Sequence, residues 1–104
     1  MNNIFANIKI DVKNEEFLNI LKHDSVRIER IVSNGQVSVE GFWYEQEENE
    51  FIIILEGNMV LEFENKEVLL NTGDYYNIKT KEKHRVKYTS TSESTICLAV
   101  FYKD

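Results

Sequence analysis

The sequence predicts an all-β fold, an antiparallel sandwich or barrel with one short helix ahead of it. Three observations lead there. From Val26 onward, apolar and polar residues alternate in short runs, the period of a strand with one covered face. Gly, Asn and Asp separate the runs and proline is absent, so those residues must make the turns. Two further runs, "EFIIILEG" and "STICLAVFY", are apolar on both faces, as strands covered on both sides are.

The first element in chain order is the helix. "NEEFLNILK", residues 14–22, offers Asn14 as a cap, Glu15 and Glu16 at the positive end of the dipole and Lys22 at the other end. Phe17, Leu18 and Leu21 then make an apolar stripe at helical spacing. A helix so short needs tertiary support, which places it across the outside of something larger. Residues 1–25 are accordingly an extension and residues 26–104 the β domain.

Within that domain "VRIERIVS" puts Val26, Ile28 and Val32 on one face, and "SNGQ" turns the chain into "QVSVEGFWYEQ". "EFIIILEG" follows, and "NMVLEFE" aims Met59, Leu61 and Phe63 one way before "NK" leads into "EVLL". "NTGD" is another turn, with Gly73 suited to a positive φ. "YYNIK", "HRVKYTS" and "STICLAVFY" complete a series of about eight or nine strands.

Composition narrows the function classes. A chain of 104 residues holds one domain, and 42% hydrophobic residues is enough for a folded core. The net charge of −6 argues against nucleic acid or an anionic membrane as partner. No run reaches the roughly 18 apolar residues that span a bilayer. The opening "MNNIFANIKIDVKNEE" lacks a basic-then-apolar secretory pattern, and Cys97 is the single cysteine, so a cytoplasmic location is the expectation.

The stretch from Glu50 to Gly57, followed by Gly73 and His84, resembles the two motifs of the cupin superfamily, G-x5-H-x-H-x3-4-E-x6-G and G-x5-P-x-G-x2-H-x3-N. Six residues separate Glu50 from Gly57 and ten separate Gly73 from His84, as in those motifs. The chain is most similar to small single-domain bacterial cupins that carry "WYxQ" before the motif glutamate and "HRV" at the second histidine; here these are Trp43–Gln46 and His84–Val86. The resemblance implies a double-stranded β-helix, or jelly-roll barrel, with a site inside its open end.

The departures fall on the ligand positions. Tyr44 and Gln46 stand where the first motif has its two histidines, and Lys79, Lys81 and Tyr88 replace the proline, glycine and asparagine of the second. By resemblance, Glu50 and His84 are the retained metal ligands, with Gln46 as a weak oxygen donor and Tyr44 as a phenolate. The ion would be divalent: Fe, Mn, Ni or Zn. Set against that is a vestigial pocket in which Glu50, Gln46 and His84 hydrogen-bond one another or water.

Two functions follow. One is the binding of a small polar molecule in the barrel, contacted by Trp43, Tyr44, Gln46 and Tyr88. The other is a metal-dependent dioxygenase, isomerase or lyase. A metal-free variant of the enzyme uses Glu50 and His84 as a proton-transfer pair. His23 reads as a solvated residue at a helix end, Cys97 as a buried unreactive thiol, the acidic run Glu45–Glu48 as a hairpin turn and Lys79–Lys83 as a solvated loop. Strands apolar on both faces need a cover, which the helix or a second copy supplies; a homodimer is expected.

Overall fold

The computed structural model describes residues 2–104 and contains eight strands and no helix among them. These are β1 (Glu16–Lys22), β2 (Val26–Ser33), β3 (Asn49–Glu56), β4 (Asn58–Phe63), β5 (Lys66–Asn71), β6 (Tyr75–Ile78), β7 (His84–Thr89) and β8 (Thr95–Tyr102). They form a five-stranded sheet in the order β1-β2-β8-β3-β6 and a three-stranded sheet in the order β5-β4-β7. Every pairing is antiparallel.

The expected helix over 14–22 is a strand. Glu16 pairs with Val32 and Lys22 with Arg27, across one register shift between Asn19 and Leu21. The physical reason lies in length and in the neighbour. A nine-residue helix scarcely sustains itself, whereas the open edge of β2 offers a full row of backbone partners. The apolar residues read as a helical stripe do not alternate but fall on both sides of the strand, which leaves Phe17, Leu18, Ile20 and Leu21 exposed. His23 then sits in the β1–β2 hairpin, its N–H donating to Val26 O at 2.7 Å.

"QVSVEGFWYEQ" is likewise not a regular strand. It runs beside β7 as an irregular segment fixed by a few bonds: Ser38 N–H to Val86 O at 2.9 Å, Tyr44 N–H to His84 O at 2.8 Å and His84 N–H to Tyr44 O at 3.0 Å. Gly41, at φ +81°, breaks the ladder within it.

The core lies between the two sheets, where Ile52 and Ile54 of β3, Met59, Leu61 and Phe63 of β4, Leu70, Ile78 and Cys97 pack together. Gly57 turns β3 into β4 at φ +82°. A Cβ there would meet Thr95 Oγ1 at 2.6 Å and Ser94 O at 2.8 Å, so the turn is closed by backbone lying against β8. That closure fixes where β3 begins to cross the core, and with it Glu50 at the opposite end of the strand.

On the outer face of the larger sheet, Arg30 is 2% exposed. Its guanidinium donates to Ile4 O at 3.1 Å, to Ala6 O at 2.7 Å and to Glu16 Oε1 at 2.6 Å. Arg30 thereby clamps the amino-terminal segment onto β1 and β2. The groove beside it, about 650 Å³, has its deepest charge already taken up by these bonds.

Candidate functional site

Glu50 is the second residue of β3 and His84 opens β7, and the two meet at one end of an internal cavity of about 280 Å³. Glu50 is 8% exposed and His84 5%. His84 Nε2 lies 3.7 Å from Glu50 Oε1, beyond a direct hydrogen bond. Nδ1 of the same ring is 2.9 Å from Glu82 O. A carbonyl only accepts, so Nδ1 carries the proton in the neutral ring and leaves Nε2 an acceptor open to the cavity.

Gln46 completes the polar end. Its amide N–H donates to Glu50 Oε1 at 3.0 Å. Tyr44 stacks on the His84 ring with centroids 5.8 Å apart, and its own ring meets Phe42 edge-on at 4.8 Å. The floor of the cavity is apolar, with Ile52, Met59, Leu61, Ile78 and Val86 among others, while Glu15, Arg27 and Glu29 add charge to its lining.

The electrostatics follow from burial and from two carboxylates. For the His84 imidazole, burial pulls downward, but Glu50 and the Glu82 carbonyl and carboxylate outweigh it and hold the ring above its ordinary 6.5. Burial pushes the Tyr44 phenol up, and the Glu15 and Glu50 charges push it further. The Cys97 thiol is driven up by burial above all, which makes it an inert core group, as the sequence suggests.

A cupin domain family model matches residues 30–101. This chain belongs to the cupin family. No curated protein matches the sequence. Among solved structures, the whole chain superposes on 98% of a Ralstonia eutropha JMP134 protein called a putative mannose-6-phosphate isomerase, with a TM-score of 0.95 and 32% identity. It covers 84% of a cupin superfamily protein from Desulfitobacterium hafniense DCB-2, using 93% of its own length, at TM-score 0.78 and 16% identity. A Streptococcus pyogenes protein of unknown function matches at TM-score 0.80 and 12% identity, over 100% of this chain and 87% of that one. The last two show the shared fold and nothing about activity.

As a metal centre the cupin site is thin. Among the described residues no three His, Cys, Asp or Glu side chains come together. Glu50 and His84 are two donors, and Gln46 presents N–H to Glu50, since two oxygens would not face each other at 3.0 Å. The Tyr44 phenol is shifted away from the phenolate that a metal would take. These residues do not make a closed site for a resident divalent ion.

The sequence-derived residues divide cleanly. Tyr44, Gln46, Glu50 and His84 line one cavity. Trp43 and Tyr88 do not. Trp43 alternates away from Tyr44 and lies under the Arg85 guanidinium, 5.9 Å from its ring centroid. Tyr88 is turned off the His84 face by a bulge, because Leu61 pairs with Val86 while Val60 pairs with Tyr88. The strand rule that grouped His84, Val86 and Tyr88 therefore holds for only the first two.

Sequence reasoning misses Glu15, Phe17, Arg27, Glu29, Ile31 and Phe101 among the lining residues. Glu15 and Phe17 were read as parts of a helix. For Arg27 and Glu29, the alternation of β2 was visible, but its polar face is the one that turns toward the cavity. Its opposite face carries Arg30 under the amino-terminal segment. A salt bridge joins Arg27 to Glu29, and Arg27 Nη2 donates to Glu48 Oε1 at 2.9 Å. The Arg27 guanidinium also lies 3.8 Å from the Phe101 ring centroid.

Proposed function

We propose that this cupin binds a small molecule with a polar head and an apolar body, its head held between Glu50 and His84. One observation carries the reading: two nearly buried polar groups, Glu50 and His84, converge at one end of a cavity with an apolar floor, the arrangement of a small-molecule site. Glu50 and His84 form a donor–acceptor pair able to hold or move a proton at a ligand atom between them. Gln46 fixes Glu50, and Tyr44 walls the mouth.

The second reading is an enzyme, favoured by the 32% identity along the whole chain to the protein called a putative mannose-6-phosphate isomerase. Sugar isomerisation needs a base and an acid, roles open to Glu50 and His84. The cavity argues against a phosphorylated substrate. Among the described residues no lysine lines it, and its arginine, Arg27, is tied to Glu29 and Glu48. A homodimer belongs to the same proposal, supported by the exposed Phe17, Leu18, Ile20 and Leu21 of β1; light scattering at the monomer mass would count against it.

A thermal-shift screen of small polar compounds tests the binding reading. Hits are expected to raise the wild-type melting temperature and to lose most of that effect in Glu50→Gln and in His84→Gln. Hits whose shifts are the same in all three proteins would place binding elsewhere.

A further inference from the structure

We infer that the molecule held in the barrel is a small organic cation, an alkylammonium or comparable protonated amine, and not an anion. This rests on the reading of the cavity as a ligand site and names its charge class. The lining carries more carboxylate than cation. Arg27 is already shared between Glu29 and Glu48. Glu15 has no cationic partner and accepts only from Ser33 Oγ, at 2.6 Å. Glu50 faces only the Gln46 amide and the His84 ring.

A second observation is independent of charge counting. Glu50 is more than nine-tenths buried, yet its hydrogen bonding goes entirely to Oε1, and Oε2 has no partner among the described residues. His84 is buried as a residue, and its Nε2, open to the cavity, has nothing within hydrogen-bond reach. The free Glu50 Oε2, joined by His84 Nε2 whenever the imidazole is neutral, calls for a donor-only head group, and an ammonium has three N–H donors and no acceptor. The floor of Ile52, Leu61 and Ile78 suits a hydrocarbon body and not a bare metal ion.

The test uses three probes of one length and different charge, n-butylammonium, 1-butanol and butyrate. Each is titrated at neutral pH into protein dialysed free of metal and followed by amide and imidazole NMR shifts. Butylammonium is expected to move the signals of Gln46, Glu50 and His84, and to bind on the order of tenfold or more tighter than butanol, with butyrate weakest. Glu50→Gln, and separately Glu15→Gln on the partly exposed edge, should shrink that preference. Butanol or butyrate binding in the cavity as well as butylammonium would overturn the cation assignment and leave the cavity reading standing. No cavity shift with any probe would overturn both. Stoichiometric uptake of Mn²⁺ or Zn²⁺ with no butylammonium shift would overturn the assignment in favour of a metal.

Discussion

Glu50 Oε1 and His84 Nε2 face each other at 3.7 Å, although 34 positions separate the two residues in the chain. Two pairings bring this about. Tyr44 bridges to His84, and Glu50 lies opposite Ile78, so the start of β3 and the start of β7 share one end of the cavity. The relationship has consequences for stability, for folding and for proton chemistry.

The first concerns pH. His84 is held above its unfolded value by its partners, so the protonated ring favours the folded state. That contribution is full below the ordinary value of 6.5 and is lost as pH rises through the higher folded midpoint. Between pH 6 and 9 the wild-type melting temperature is therefore expected to carry a downward component that Glu50→Gln lacks. Melting curves of the two proteins across that range check the sign.

Gly57 is expected to be the least replaceable glycine. It combines a φ of +82° with contacts under 3.0 Å to Thr95 and Ser94 that any Cβ would violate. Gly57→Ala should cost about 2–4 kcal/mol. Gly73, at φ +91° with open space around it, should cost only about 1 kcal/mol on the same change, from backbone strain alone. Urea unfolding of both variants reads the difference.

Arg30 makes a prediction away from the cavity. Its bonds to Ile4 O and Ala6 O tie the amino-terminal segment to the larger sheet, and its bond to Glu16 joins β2 to β1. Arg30→Met should lower stability by roughly 2–4 kcal/mol and open residues near Ile4–Ala6 to protease. Limited proteolysis with mass spectrometry detects the cut. Unchanged cleavage would show that apolar packing, not Arg30, holds the segment.

Much of this was legible in the sequence, for reasons that can be named. The alternation in "NMVLEFE" and the apolar "EFIIILEG" gave strands because period-two patterning is local. The resemblance of the Glu50–Gly57 and Gly73–His84 spacings to the cupin motifs implied where the polar end of the cavity lies. What stayed hidden was tertiary. Glu15–Leu21 fits a helix by pattern, and only the open edge of β2 makes it a strand. The bulge that diverts Tyr88 has no residue signature, since any chain position can hold an extra residue. Which face of β2 points inward depended on the amino-terminal segment that covers Arg30.

The central claim is that Glu50 and His84 act as one unit, and the imidazole titration of His84 tests it most directly. Following the His84 ring nitrogens by NMR, the wild-type protein should titrate above the ordinary 6.5. In Glu50→Gln the midpoint should fall, because burial then acts with less opposition. Equal midpoints in the two proteins would contradict the account.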